Sequence, residues 1–133
     1  MAKTTIHWQE GMNFTGTDSE GRSVQISGGP GEGVSPMQML LLALGSCASV
    51  DVVSILQKQR QPIRDLRVEV DGQRGEEYPR PYESIHMKFT IYGQGVEPDK
   101  IKRAIELSTE KYCGVHGTLR GVAAITWEFE AEG

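Results

Sequence analysis

From Met37 to Val53 the chain is apolar on nearly every side of a helix, broken only by Gln38, Gly45, Ser46, Ser49 and Asp51. A surface helix carries one apolar stripe, whereas a helix apolar all round has to be buried on most of its faces. Its start is sharp. Ser35 is suited to cap the helix, and Pro36 to fill the first helical position, where a missing N–H leaves nothing unsatisfied. Pro62 limits the far end, so the helix is expected to run to about Gln61. The apolar stretch is shorter than the ~20 residues of a membrane span and holds an acid, which points to a core helix and no membrane partner. A chain of 133 residues covers little of its own surface. Burying such a helix calls for a second subunit, and a homodimer is expected.

The flanking segments supply the layers that would cover this helix. Before it, Thr4 to Trp8, Met12 to Thr17 and Ser23 to Ser27 read as short strands separated by turn-forming clusters. Gly28-Gly-Pro-Gly-Glu-Gly33 follows as a loop, without the Lys-Ser/Thr ending of a phosphate-binding loop. After it, Leu66, Val68 and Val70 alternate with charged residues, and Ile85, Met87, Phe89 and Ile91 repeat that period across a long loop from Gly72 to Ser84. Glu97-Pro98-Asp99 opens a second helix reaching about Lys111, with its acids where the helix dipole favours them. Val122 to Glu130 forms a last strand. The expected class is α+β, an antiparallel sheet with helices on one face, in a single domain of residues 1–133.

Charge and cysteine content narrow the function. Eighteen acidic against fourteen basic residues give a formal charge of −4, the wrong sign for holding a phosphate backbone, so no nucleic acid is expected. The N-terminal residues carry no apolar run of the kind a signal peptide needs, and a cytoplasmic protein is expected. Two cysteines, Cys47 and Cys113, are too few for a disulfide scaffold; in a reducing compartment any pairing between them is transient and chemical.

Cys47 lies inside the apolar helix, where Leu44, Asp51 and Ile55 share its stripe. A buried free cysteine often only fills space, and an ionised Asp51 one turn on would make the thiol less reactive unless a cation intervenes. Cys113 stands at the end of the second helix, in Glu110-Lys-Tyr-Cys-Gly-Val-His116, where Gly114 marks a break and access to the thiol is expected. Lys111 and His116 are close enough in sequence to favour its thiolate. Cys113 and His116 supply only two metal ligands between them, to be joined by Cys47 and His7 or His86. His86 falls on the polar face of its strand, so no metal and no other cofactor is expected. No nucleophile elbow or metalloprotease helix is present.

These residues also resemble a known family. Ser35-Pro-Met-Gln-Met-Leu-Leu-Leu-Ala-Leu-Gly-Ser-Cys47, after a glycine-rich loop, is similar to the segment that carries the first redox cysteine of the OsmC/Ohr superfamily. Glu110-Lys-Tyr-Cys113-Gly-Val resembles the segment that carries its second. Pro79-Arg-Pro-Tyr-Glu-Ser-Ile-His-Met-Lys-Phe-Thr-Ile-Tyr-Gly93 resembles the strand between them. Asp51-Val-Val-Ser-Ile-Leu-Gln-Lys58 is most similar to the YhfA-type OsmC-like branch. The resemblance implies an OsmC-like α+β subunit in an intertwined homodimer, with the long helices packed centrally and the sites at the subunit interface. It also implies an organic hydroperoxide reductase of the oxidative stress response. In that scheme Cys47 is peroxidatic, Cys113 is resolving, and a dithiol or protein thiol reopens their disulfide.

One part of the family pattern is replaced. Where peroxidatic members carry Asn-Pro-Glu, with the acid paired to an early-strand arginine, this chain has Ser35-Pro36-Met37 and no arginine before Arg22. Gln38, Arg22, Arg80 and Arg120 are therefore the residues to look for beside Cys47, with Asp51, Glu110 and His116 as further supporting candidates. Two other functions compete. Met37 and Met39 are adaptable side chains suited to lining an apolar ligand pocket at a dimer cleft. A redox sensor whose disulfide alters the dimer is the other.

Overall fold

The computed structural model describes residues 2–133, which form two compact units, 2–40 and 41–133. In the first, β1 (Thr5–Glu10), β2 (Asn13–Thr17) and β3 (Ser23–Ser27) make an antiparallel sheet in that order. The three strands anticipated from the sequence are present, β3 with the expected bounds and the other two with ends shifted by at most two residues. Asp18 ties the β2–β3 turn: its carboxylate accepts from the backbone N–H groups of Glu20 and Arg22 at 2.8 and 2.9 Å. The glycine-rich loop after β3 is irregular, pinned where the Ser27 N–H donates to the Val34 carbonyl at 3.1 Å and the Val34 N–H to the Gln25 carbonyl at 3.0 Å.

Helix α1 (Pro36–Lys58) begins as its sequence dictates. Ser35 Oγ accepts from the Gln38 N–H at 3.4 Å, with Pro36 in the first turn. It ends three residues before the expected Gln61, because Arg60 turns into the left-handed region at φ 58°. The Arg60 N–H then reaches the Gln57 carbonyl at 3.0 Å and the Gln61 N–H the Leu56 carbonyl at 2.9 Å. This is a Schellman closure with arginine where glycine is usual.

The second unit carries a sheet ordered β4 (Asp65–Arg74), β5 (Tyr82–Tyr92), β6 (Ala124–Glu132). Strands β4 and β5 pair antiparallel, but β5 and β6 run parallel, in register from Ser84↔Ala124 to Tyr92↔Glu132. The wholly antiparallel arrangement expected from the sequence is corrected at this pair. A helical crossover joins β5 to β6, and such a crossover delivers the next strand in the same direction. The long loop expected from Gly72 to Ser84 shrinks to 75–81. β4 continues through Gly72 because the Tyr82 ring packs over it, leaving only 2.5 Å to where a Cβ would stand.

The crossover holds α2 (Pro98–Leu107), a π-helical turn (Ser108–Tyr112) and α3 (Gly114–Leu119). The single helix expected to reach Lys111 thus changes to the wider π form at Ser108. The core is the inner face of this sheet, chiefly Ile85, Met87, Phe89 and Ile91, against Leu44, Ala48, Val52 and Leu56 of α1 and Ile101, Ala104 and Ile105 of α2.

At 23 residues α1 is long and apolar enough to cross a membrane by length and composition, more than its sequence suggested. The buried row from Leu44 to Leu56 and its packing on the sheet identify it as a core helix instead. Burial on most faces is not reached within one chain: Leu42 and Val50 are 58% and 69% exposed.

Candidate functional site

Cys47 and Asp51 stand one turn apart on α1, and Cys113 is the residue between the π-helical turn and α3. The crossover folds Cys113 back onto α1, so that the sulfurs of Cys47 and Cys113 and a carboxylate oxygen of Asp51 all lie within 4.8 Å of one another. Both cysteines are free thiols, Cys47 half-buried and Cys113 buried.

Cys113 is 4% exposed, not accessible as its place at a helix end suggested. The π-helical turn brings the Cys113 N–H to the Ser108 carbonyl at 2.7 Å and tucks the side chain under α3. There it acts as N-cap, accepting from the His116 N–H at 3.3 Å. Burial pushes the thiol up to about 11, and hydrogen bonding to Cys47 and the charge of Cys47 push the same way. The N–H groups of His116 and Val115 pull only partly back. Cys113 therefore keeps its proton at neutral pH, with Cys47 as its hydrogen-bond partner.

Ser108 completes the cluster and was not singled out in the sequence. Its hydroxyl donates to Asp51 Oδ2 at 2.9 Å, and the residue is wholly buried. A signal was present. Ile101, Ala104 and Ile105 mark the buried stripe of α2, and position 108 continues it with a polar side chain that needs a partner once buried.

The supporting candidates divide sharply. His116 supplies its backbone N–H, but its imidazole is held below the usual histidine range, first by burial and then by the Arg120 charge. It is neutral and gives no cation to a thiolate; its Nδ1 is buried without a hydrogen-bond partner among the described residues. Lys111 is drawn over the Tyr112 ring, 5.2 Å from its centroid. Glu110 is exposed on the π-helical turn. Arg22 pairs with Asp18 and Glu20 in the β2–β3 turn. Arg80 stays in the β4–β5 loop, its Nε donating to the Gly75 carbonyl at 3.3 Å. Gln38 is exposed in the first turn of α1, giving its N–H to Ser35.

The outer sheet face holds His86 between Thr126 and Glu128, at 2.7 and 2.6 Å, the polar surface position expected for it. His7 lies on exposed β1. Met39 lines a cleft of about 320 Å³ in the first unit with Ile6, Val24 and Ile26. Beside Asp51 a second cleft of about 310 Å³ opens between Ile55, Leu107 and Tyr112 on its apolar side and Ser54, Lys58 and Gln59 on its polar side.

Residues 29–128 match the family of OsmC-like proteins. Protein YhfA of Escherichia coli (strain K12) is 39% identical over 126 residues, 94% of each chain. A hypothetical protein from Aquifex aeolicus VF5 superposes with a TM-score of 0.85 at 32% identity, over 100% of this chain and 98% of that one. An organic hydroperoxide resistance protein OsmC from Legionella pneumophila shares the fold, with a TM-score of 0.72 at 13% identity over 98% and 96% of the two chains.

Proposed function

The chain belongs to the OsmC-like protein family, and on that premise we propose that it reduces organic hydroperoxides, with Cys47 as the attacking and Cys113 as the resolving cysteine. The observation that carries this reading is the meeting of the two sulfurs and the Asp51 carboxylate within 4.8 Å. The unequal burial of the thiols supports this division of roles. Cys47 is the one a substrate can reach, and Cys113 is the one kept protonated beside it.

Cys47 sulfur attacks the terminal peroxide oxygen; the S–O bond forms as the O–O bond breaks, giving a sulfenic acid and an alkoxide. Asp51 accepts the proton that Cys47 loses and returns it to the alkoxide, which leaves as the alcohol. Cys113 then attacks the sulfenic sulfur, water departs, and the disulfide is reopened by an external dithiol that is itself oxidised. Ile55, Leu107 and Tyr112 suit the alkyl part of the substrate.

The functional unit in this reading is a soluble, cytoplasmic homodimer of one domain, residues 1–133. Exposed Ile6, Trp8, Leu42 and Val50 are large apolar groups that a second copy would cover. The test is consumption of an alkyl hydroperoxide with a dithiol reductant. Cys47→Ser should abolish turnover, and Cys113→Ser should slow it and leave a sulfenate open to further oxidation. Turnover by Cys47→Ser equal to wild type would overturn the proposal.

A further inference from the structure

We infer that the reduced site binds a thiophilic divalent cation of the zinc type through Cys47 Sγ, Cys113 Sγ and a carboxylate oxygen of Asp51, and that the bound cation and the Cys47–Cys113 disulfide exclude each other. The inference uses the side chains of the proposed reductase but none of its chemistry, since binding needs no peroxide.

Three features carry it. Cys47 and Asp51 are an i, i+4 pair on a 23-residue helix, the spacing at which two side chains meet one ion from a rigid backbone. Cys113 comes from outside α1, so the three donors converge from separate parts of the chain rather than lying along one helix. Tetrahedral zinc with Zn–S bonds of about 2.3 Å sets its sulfurs roughly 3.8 Å apart. The donors here are all within 4.8 Å of one another, so closing on an ion takes rotamer adjustment, not rearrangement of the fold.

The groups behind the donors are arranged for anionic ligands. Ser108 holds the Asp51 carboxylate through Oδ2, and the His116 N–H supports the Cys113 sulfur. Such partners orient metal ligands and are worth roughly 10–100-fold in affinity. Two thiolates and a carboxylate fill three positions and leave the fourth to water or an external thiol. Binding displaces both thiol protons. Removal of two electrons from the thiolates by an oxidant joins the sulfurs and releases the ion unchanged.

The experiment titrates cobalt chloride and then zinc chloride into the reduced full-length protein and follows thiolate-to-cobalt charge-transfer absorption. The expected result is one cobalt per chain, displaced by zinc. Affinity should fall roughly 10–100-fold in Ser108→Ala and at least as far in Asp51→Asn, and the charge-transfer signal should be lost in Cys47→Ser. Wild type oxidised with diamide, a thiol oxidant that needs no peroxidase activity, should release the ion without any substitution. Absence of the band in reduced wild type, or equal binding by the oxidised protein or by Cys47→Ser, overturns the inference. Peroxide turnover without ion binding removes this inference alone; ion binding without turnover supports it and removes the reductase.

Discussion

Ser108 and Asp51 stand 57 positions apart in the chain, and the serine hydroxyl donates to the aspartate carboxylate across 2.9 Å. That bond joins the π-helical turn after α2 to the face of α1 that carries Cys47. It fixes the acid that stands at the thiol pair. Replacing Ser108 by Ala should lower stability by about 1–3 kcal/mol, the cost of leaving a part-buried acceptor without its donor. Urea unfolding of Ser108→Ala, Asp51→Asn and the double variant reads this directly. A non-additive term of about 0.5 kcal/mol or more between the two is expected, and strict additivity would mean the bond carries no energy.

The buried thiol makes stability depend on pH. Cys113 titrates near 11 in the folded protein against an ordinary 9.0, so the fold favours its protonated form. The sign follows from linkage. This contribution is complete below pH 9 and is lost as pH rises toward 11. Unfolding midpoints of wild type should therefore fall over that interval more steeply than those of Cys113→Ser. At pH 8, iodoacetamide should label Cys47 well before Cys113; the reverse order would contradict the assignment of roles.

Arg60 closes α1 in the left-handed region, at φ 58°. A side chain there is strained, and glycine is not. Arg60→Gly should raise stability by about 0.5–1 kcal/mol, measured as a higher urea midpoint at unchanged m-value. A loss of stability would mean that the arginine side chain supplies more than the turn costs.

Gly45 is where α1 comes down on the sheet. A Cβ there would stand 2.8 Å from Val70 Cγ2. Gly45→Val should cost about 1–3 kcal/mol by overpacking. Because the wedge lies two residues from Cys47, it should also slow disulfide formation under diamide. Retention of wild-type stability would show that α1 and β4 are free to separate.

Much of the fold is written in local pattern. Ser35-Pro36 specifies the start of α1, and the period-2 runs around Val68 and Phe89 specify two paired strands and the face they bury. The parallel pairing of β5 with β6 was not legible, because strand direction depends on the path of the crossover and not on the residues of β6. The π-helical turn was hidden for a related reason. Ser108 to Tyr112 look like one more turn of helix, and what widens them is the tertiary demand to bring Ser108 to Asp51 and Cys113 to Cys47. The two cysteines stood out as the only ones in the chain, but their meeting is a long-range contact that no local period encodes. The cation that His116 was expected to offer the Cys113 thiolate is not supplied by its imidazole, whose charge is lost to burial and to Arg120. An acid, Asp51, is the ionisable partner instead.

The most direct measurement is the intact mass of the reduced protein after brief exposure to about one equivalent of an alkyl hydroperoxide, compared with hydrogen peroxide and with Cys47→Ser. The account predicts a rapid loss of about 2 Da per chain in wild type alone, faster with the alkyl peroxide, as Cys47 and Cys113 join. An unchanged mass over many minutes, or the same loss in Cys47→Ser, would contradict it.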